Sequence, residues 1–133
     1  MKYYLDTNII IYAINNKFPL IRDHFYNIPA QSIVIPSVVM AEIEYGARKS
    51  NDYEKTINVY KKFTDVFEKA EFNEKASAEY GIIRAALEKN GTPIGSNDLL
   101  IASIVKAENG ILVTHNVGEF ERVADLRFED WTV

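Results

Sequence analysis

The segment Lys2-Tyr3-Tyr4-Leu5-Asp6-Thr7-Asn8 begins with a short apolar run, reaches a carboxylate at Asp6 and continues into the apolar pattern of residues 9–14. This pattern predicts a buried strand followed directly by a helix. In a parallel sheet, Asp6 would lie at the carboxyl end of its strand, which is the edge where open α/β sheets bind ligands. Asp6 or Asn8 could equally cap the following helix, so this segment leaves a structural and a functional role open.

Strand and helix patterns alternate along the rest of the chain. Apolar runs predict strands at 32–35, 66–67, 111–114 and 126–128, and helical spacing predicts helices at 37–49, 53–64, 73–89 and from Ser96 onward. Strands that are separated by helices pair in parallel, because the crossover that returns the chain is normally a helix. The sequence therefore predicts an α/β fold with a central parallel sheet flanked by helices.

Length and composition limit the class of protein. A chain of 133 residues with 47% hydrophobic content suits a single domain over residues 1–133. The absence of cysteine excludes disulfides and thiolate metal sites. The longest apolar run is too short to cross a bilayer, so we expect no membrane association and a cytoplasmic location. A net charge of −4 argues against gripping nucleic acid through bulk positive potential.

The helix predicted at 37–49 carries a carboxylate on its predicted inner face. At about 100° per residue, Glu42 lies within an arc of predicted core residues, which are Val38, Val39, Tyr45 and Gly46. An inward carboxylate is costly unless it is paired, hydrogen-bonded, protonated or bound to a metal. This helix alone leaves open a buried ion pair, with Lys49 or an arginine elsewhere, and a metal ligand.

A second acid, Asp98, lies in the first turn of the helix that is predicted to begin at Ser96. Residues 99–105 are apolar around nearly the whole circumference, which predicts a helix packed on several sides. The helix dipole favours an acid in this turn by roughly 0.3 to 1 kcal/mol, so a structural role is open. A helix that precedes a parallel strand runs against the sheet direction, and we therefore expect Asp98 at the same edge as Asp6.

The loop after the strand predicted at 111–114 is the third segment expected at this edge. It supplies a hydroxyl at Thr114, an amide at Asn116 and a carboxylate at Glu119. Glu119 is either part of a shared acidic site or an exposed loop acid. With only His24 and His115 in the chain, zinc coordination by several histidines is disfavoured.

Four segments in order resemble the PIN-domain ribonucleases, and in detail the VapC toxins of toxin–antitoxin pairs. The segments are Leu5-Asp6-Thr7-Asn8, Ala41-Glu42-Ile43-Glu44-Tyr45-Gly46, Ile94-Gly95-Ser96-Asn97-Asp98-Leu99-Leu100-Ile101-Ala102 and Leu112-Val113-Thr114-His115-Asn116-Val117-Gly118-Glu119-Phe120. The resemblance covers essentially the whole chain. It implies a PIN-like three-layer fold and a metal-dependent endoribonuclease that cleaves tRNA or another structured RNA, leaving a 5′-phosphate and a 3′-hydroxyl, to inhibit translation and growth.

The resemblance also implies roles for individual residues. Asp6, Glu42 and Asp98 fall on the three acids that line the family's metal site, and Glu119 matches an acid found before phenylalanine in many relatives. These four are the implied catalytic and metal-binding residues. Some relatives carry aspartate in place of Asn116, so the fourth acid varies in position. The implied supporting groups are Asn8, Thr114 and Asn116.

The implied cofactor is Mg²⁺ or Mn²⁺. Both are hard cations that prefer oxygen ligands, which accounts for a site made of carboxylates. RNA must then be held by local basic residues, because the chain is acidic overall. Candidate phosphate contacts, for which ordinary solubility is the alternative role, are Lys17, Arg22, Arg48 and Lys49.

The resemblance implies protein partners as well. A VapB-like antitoxin would obstruct the site, and the toxin would form a homodimer through its helices or a hetero-oligomer with the antitoxin. Several apolar residues exceed what we expect one core to hold and are candidates for an interface, with burial in the domain as the alternative: Ile10, Ile14, Phe18 and Phe63.

Two other classes of function fit parts of the sequence. One is a doubly wound phosphotransfer enzyme that forms an aspartyl phosphate at Asp6, although the second acid expected two residues later is Asn8 here. The other is a noncatalytic acidic domain that neutralises a basic partner.

Overall fold

Five short parallel strands form the centre of the molecule. The computed structural model describes residues 1–133, and its strands are β1 (Tyr3–Leu5), β2 (Ile33–Pro36), β3 (Glu68–Ala70), β4 (Ile111–Val113) and β5 (Arg127–Glu129). They pair in the order β3-β2-β1-β4-β5, and every pairing is parallel. The predicted parallel sheet is confirmed.

Helices fill every connection between the strands. They are α1 (Thr7–Ile14), α2 (Pro19–Asn27), α3 (Ser37–Lys49), α4 (Tyr53–Thr64), α5 (Glu74–Lys89), α6 (Ser96–Ala107) and α7 (Val117–Phe120). Helices α1 to α4 lie in the connections from β1 to β3, and helices α5 to α7 lie in the connections from β3 to β5. Because parallel crossovers are right-handed, these two groups of helices are expected on opposite faces of the sheet. The predicted three-layer architecture is confirmed. None of the helices combines the length and apolar content needed to cross a membrane.

The ends of the long helices follow the local signals in the sequence. The side chain of Asn73 accepts a hydrogen bond from the Ala76 amide at 3.1 Å and caps α5, as predicted. The chain leaves α5 through Gly91, whose φ of 69° is readily accessible to glycine. Asp52 caps α4 in the same way, by accepting from the Lys55 amide.

Two helices and one strand boundary differ from the sequence-based expectation. Helix α2 was not predicted because Ile21 is its one buried residue, which leaves almost no apolar period to detect. Helix α7 has four residues, too few for a periodic pattern. The strand predicted at 66–67 begins at Glu68 instead, and Phe67 is buried against the core just before it.

The sheet order changes direction between β1 and β4, which makes this pair a topological switch point. The chain passes from β1 to β2 on one side, and β4 pairs on the other side of β1. Ligands of open α/β proteins bind in the crevice outside such a point, at the carboxyl ends of the strands. Asp6 and Thr114 are the residues that directly follow these two strands.

The apolar residues proposed for an interface are taken up by the core to different degrees. Ile10 is completely buried and belongs to the main core cluster, so its assignment to an interface is wrong. Ile14, Phe18 and Phe63 are half-buried and pack against that cluster. The core absorbs more because α2, absent from the predicted elements, packs against α1 and adds Ile21 and Phe25 to the apolar cluster.

Gly110 tests how tightly the central strands are packed. A Cβ at this position would overlap Cε1 of Tyr4 and lie 2.5 Å from its Cδ1, and Tyr4 is only 2% exposed. We expect Gly110→Ala to lower the free energy of unfolding by about 1–3 kcal/mol, the usual cost of overpacking, measured by urea denaturation. Gly81→Ala is the matched control, because Gly81 lies inside α5 with no atom within 4 Å of its added Cβ. It should be stabilising by roughly 0.5–1 kcal/mol, and equal effects of the two changes would contradict the close approach.

Candidate active site

Asp6 connects the end of β1 to the end of β4. Its backbone amide donates to the Val113 carbonyl at 2.9 Å, and its Oδ2 accepts from the Thr114 hydroxyl at 2.8 Å. Its Oδ1 accepts from the Thr7 amide at 2.8 Å, so the same carboxylate caps α1. The two roles that the sequence left open are therefore both filled. Asp6 is 6% exposed and has no basic partner.

Burial raises the pKa of Asp6 above its ordinary value. The hydrogen bonds from Thr114 and Thr7 act in the opposite direction, because they stabilise the charged form. The charges of Glu42 and Glu119 raise the pKa further. The charged form of Asp6 is therefore disfavoured twice, by burial and by the neighbouring acids.

Glu42 reaches the same edge from the middle of α3. Its Oε1 accepts from the Thr7 hydroxyl at 2.6 Å, and its Oε2 lies 3.4 Å from the Asn97 side-chain amide, which donates to it. It forms no ion pair with a lysine or arginine, so the buried salt bridge considered from the sequence is absent.

The inner face of α3 differs from the predicted arc. The buried residues of this helix are Val39, Ile43 and Ala47, at helical spacing, whereas Tyr45 is 66% exposed. Gly46 is exposed as well. Counting Tyr45 as a core residue turned the predicted face toward solvent. Glu42 lies beside the buried stripe and is half-buried.

Asp98 and Glu119 come together from α6 and α7. One side-chain amide bridges them, since Nδ2 of Asn116 donates to Oδ2 of Asp98 at 3.2 Å and to Oε2 of Glu119 at 2.8 Å. The other oxygen of Glu119 accepts from the Gly95 amide at 3.2 Å. The loop acid is thus held against the start of α6, and it is not a free surface charge.

The pair of Asp98 and Glu119 holds one proton near neutral pH. Burial, a hydrogen bond to Glu119 and the charges of Asp6, Glu119 and Glu42 raise the pKa of Asp98 to about 8. The same shared hydrogen bond lowers the pKa of Glu119, assisted by Asn116, Gly95 and the charge of Arg122. The proton therefore resides on Asp98, and the cluster carries more carboxyl groups than it can ionise together.

The chemistry of these groups fits a divalent cation, although their side chains do not converge on one point at ligating distance. The acids affect one another's pKa values because like charges act over several ångströms. Mg²⁺ is more demanding, since it needs its ligand oxygens about 2.1 Å from a single centre. The Asn116 bridge occupies oxygens of Asp98 and Glu119 that a cation would use. Oxygen donors and uncompensated negative charge are the features that Mg²⁺ and Mn²⁺ satisfy.

The structure changes the set of supporting residues. Thr114 and Asn116 bond to the acids as expected. Asn8 is exposed and makes no hydrogen bond to any of them, and its neighbour Thr7 bonds to Glu42 instead.

Sequence reasoning also missed Asn97 and Arg122. Asn97 precedes Asp98, and Arg122 donates to the Pro93 carbonyl at 2.9 Å close to Glu119. The available signals were the position of Asn97 directly before Asp98 and that of Arg122 three residues after Glu119. Neither contact follows from these positions without knowing how α6 and α7 pack.

The four candidate RNA-binding residues occupy different surroundings. Lys17 lies over the rings of Tyr12 and Phe18, which in turn contact His115. Arg22 lines a groove of about 150 Å³ between α1 and α2. The other two follow Glu42 on α3 and lie over tyrosine rings. Cζ of Arg48 is 3.6 Å from the centroid of the Tyr53 ring, and Nζ of Lys49 is 5.2 Å from that of the Tyr45 ring.

An open groove lies against the acidic cluster. Its volume is about 440 Å³, and its lining includes Thr7, Glu42, Asn97 and the exposed Tyr45. Polar atoms of the cluster thus face solvent on one side. A polymer could approach Glu42, the one acid of the cluster that lines this groove, without rearrangement of the core.

The fold and the acidic site at its switch point define the class of protein. The model of the PIN domain family matches residues 3–126. The chain therefore belongs to the PIN domain family.

Within that family the chain is similar to VapC ribonucleases over its full length. It is 43% identical to Ribonuclease VapC2 of Rickettsia felis, with 98% of each chain covered. It is 39% identical to the tRNA(fMet)-specific endonuclease VapC of Shigella flexneri, with 99% of each covered. The toxin of VapBC2 from Rickettsia felis, solved with a promoter DNA fragment, superposes with a TM-score of 0.92 at 40% identity, covering 98% of this chain and 99% of that one. This is the group expected from the sequence.

The proton on Asp98 predicts an unusual pH dependence of stability. The folded pKa of about 8 lies above the ordinary value of about 3.9 expected for the unfolded chain. Between these values the folded state binds the extra proton, so the metal-free fold should lose stability as pH rises from about 4 to about 8. Asp98→Asn should weaken this dependence and melt no lower than the wild type at about pH 8 in chelator, measured by scanning fluorimetry.

Glu74→Gln is the matched control, since Glu74 is an acid in the first turn of α5. Its loss should cost only the helix-dipole contribution, about 0.3–1 kcal/mol, without removing the pH dependence. If Asp98→Asn destabilises the protein at high pH as Glu74→Gln does, Asp98 is a simple helix-terminus acid.

Proposed function

We propose that the protein is a metal-dependent endoribonuclease that acts as the toxin of a toxin–antitoxin pair. The observation that carries this proposal is the gathering of Asp6, Glu42, Asp98 and Glu119 at the switch point with no basic side chain paired to any of them. A structural cluster would be expected to contain its own cations, because unpaired carboxylates in a shared site are costly. Membership of the VapC group supports the same activity.

The proposed substrate is tRNA, with initiator tRNA as the first candidate. The relatives from Shigella flexneri and Salmonella typhimurium are named tRNA(fMet)-specific endonucleases, at 39% and 37% identity over nearly the whole chain. Cleavage of this tRNA would inhibit translation and growth. We propose a cytoplasmic location, since that is where this substrate is used.

Mg²⁺ or Mn²⁺ would be held by Asp6, Glu42, Asp98 and Glu119. When bound, such an ion supplies an activated water and stabilises charge on the phosphate under attack and on the leaving oxygen. Thr114 and Thr7 keep the carboxylates of Asp6 and Glu42 oriented by hydrogen bonds. Such supporting bonds fix ligand geometry in metal sites and typically affect affinity or activity by about 10- to 100-fold.

The remaining side chains at this edge hold the acids and the RNA. Asn97 donates to Glu42, and Asn116 positions both Asp98 and Glu119. Without a cation, the negative charge of the cluster repels phosphate. The basic residues that we propose as phosphate contacts are Lys17, Arg22, Arg48 and Lys49.

A VapB-like antitoxin is the proposed protein partner. Relatives with TM-scores of 0.92 were solved as VapBC complexes, from Rickettsia felis and from nontypeable Haemophilus influenzae. A homodimer, free or within a hetero-oligomer with the antitoxin, is the proposed assembly. The half-buried Ile14, Phe18 and Phe63 remain available to such contacts, whereas Ile10 does not.

Substitution of the acids tests the proposed activity directly. Asp6→Asn and Asp98→Asn should each lower the rate of initiator tRNA cleavage by at least roughly 100-fold, because a charged group that acts on the transition state is lost at nearly constant volume. Glu42→Gln should have a similar effect. The readout is the appearance of 5′-phosphate RNA ends with Mg²⁺ or Mn²⁺, and chelator should abolish it.

Glu44→Gln is the matched control for Glu42→Gln. Glu44 lies on the same helix but accepts from the Tyr53 hydroxyl at 2.8 Å, away from the other acids. Cleavage by Glu44→Gln should equal that of the wild type. Wild-type rates in either aspartate variant, from protein free of contaminating nuclease, would refute the assignment of the site.

The fourth acid has a separate test. Glu119→Gln should raise the metal concentration needed for half-maximal cleavage more than Asn116→Ala does, because Glu119 would contribute charge while Asn116 only positions its neighbours. The measurement is a metal titration of the initial cleavage rate. If the order is reversed, Asn116 is the essential member of this loop, and if neither change matters, the loop takes no part in the site.

A further inference from the structure

A group of aromatic residues with one lysine follows the acidic cluster in the fold, and no joint role has been assigned to it so far. We call Tyr12, Lys17, Phe18 and His115 the aromatic rim. Tyr12 and Phe18 pack edge to face with ring centroids 4.9 Å apart. The His115 ring lies 5.8 Å from Phe18 and 6.1 Å from Tyr12. Nζ of Lys17 lies 5.0 Å from the centroid of the Tyr12 ring and 5.6 Å from that of Phe18.

The His115 ring is fixed in orientation but open to solvent. Its Nδ1 is 3.1 Å from Oδ2 of Asp130 and 3.0 Å from the Thr132 hydroxyl, while the side chain is 46% exposed. Asp130 also accepts from the amide and the hydroxyl of Thr132, at 2.9 and 2.6 Å. A carboxylate only accepts hydrogen bonds, so Nδ1 is the protonated nitrogen and Nε2 is left unused.

The backbone places His115 between two residues that hold the acids. His115 lies between Thr114, whose hydroxyl donates to Asp6, and Asn116, whose amide donates to Asp98. The Asn116 backbone amide also donates to the Thr114 hydroxyl at 2.9 Å, which closes a tight turn around His115. His115 therefore lies on the same turn whose neighbouring residues hold Asp6 and Asp98.

On the basis of the proposed ribonuclease function, we propose that the aromatic rim is a subsite for an unpaired nucleotide of the RNA beside the scissile phosphate. The base stacks on the exposed side of the His115 ring, and the Lys17 ammonium binds an adjacent phosphate. Proteins recognise single-stranded RNA in this way, by splaying a base onto an aromatic or histidine ring next to a positive charge. Tyr12 and Phe18 also line the apolar groove beside Arg22, which is the kind of cleft that a helical peptide needs. The exposed His115 ring lies outside the lining of that groove and, with Lys17 close by, presents a flat polar surface that suits a base and a phosphate.

The subsite would make unpaired RNA a better ligand than duplex RNA. It also resolves how an acidic protein of net charge −4 binds RNA, because stacking adds affinity that does not depend on bulk positive potential. His115 is then a specificity residue, and the acids remain the groups that act on the phosphate.

The test compares three variants at two positions. His115→Ala removes the ring, His115→Phe keeps a stacking ring but cannot bond to Asp130, and Lys17→Ala removes the cation. Lys75→Ala is the control for Lys17, since Lys75 is exposed at the start of α5 and forms no ion pair. The first readout is the kinetics of initiator tRNA cleavage. The second is the affinity for a labelled RNA, single-stranded or annealed to its complement, measured by fluorescence anisotropy before cleavage has proceeded. Melting temperatures confirm that each variant is folded.

For His115→Ala we expect KM to rise roughly 5- to 30-fold with kcat within about twofold, the effect of losing one stacked base. Affinity for the single-stranded RNA should fall by a similar factor, while affinity for the duplex stays unchanged. His115→Phe should recover most of the loss, which a purely structural role through Asp130 would not allow. Lys17→Ala should weaken RNA binding and reduce the slope of log affinity against log salt concentration by about 1, the value for one lost phosphate contact. Lys75→Ala should change neither quantity.

The other outcomes separate failure of the subsite from failure of the ribonuclease proposal. Normal tRNA cleavage with a wild-type KM in His115→Ala leaves the ribonuclease proposal intact and removes this one. Equal losses on single-stranded and duplex RNA, or no rescue by phenylalanine, exclude base stacking. If the variants release a co-expressed antitoxin without changing RNA affinity, the rim is a protein interface. If no tRNA is cleaved at all, the ribonuclease proposal fails, and the anisotropy measurement still decides whether His115 binds unpaired RNA.

Discussion

The hydrogen bond from the Thr114 hydroxyl to the Asp6 carboxylate is the interaction on which the site depends. It joins the ends of β1 and β4, the two strands between which the sheet reverses its order, and both residues are buried. Removing the hydroxyl would leave a buried carboxylate oxygen without its donor, which costs more than an ordinary hydrogen bond contributes. The same carboxylate caps α1 through Thr7, so one side chain sets the strand exit, the helix start and one face of the acidic cluster.

The other acids are held by neutral donors, which explains why the site is both ordered and strained. Hydroxyls and amides from Thr7, Asn97 and Asn116 satisfy individual oxygens without neutralising any charge. Burial and the hydrogen bond with Glu119 raise the pKa of Asp98, and the persisting repulsion from the other acids raises it further. Proteins commonly accept such a loss of stability where function requires it. A lysine in place of one amide would relieve the repulsion and would also occupy the position that a cation requires.

Two kinds of surface meet at this edge of the sheet. The carboxylates concentrate negative charge around Asp6, and the aromatic rim concentrates rings and one ammonium around His115. Thr114 belongs to both, since its side chain bonds to Asp6 and its successor in the chain is His115. A net negative protein can therefore present local binding groups for RNA without an extended basic face, and its global charge says little about its ligand.

The sequence by itself determined the parallel sheet, the bounds of α3, α4 and α5, the start of α6 and the strand-end position of Asp6, because strand runs, helical period and caps are local properties. It also placed Asp98 correctly, since the direction of a helix before a parallel strand follows from topology. Only the tertiary structure decided that Thr7 bonds to Glu42, that Asn97 and Arg122 join the site, that Tyr45 faces solvent and that Ile10 is core. Thr7 and Glu42 are 35 residues apart, and contacts at that range depend on how whole helices pack. No local pattern records that packing.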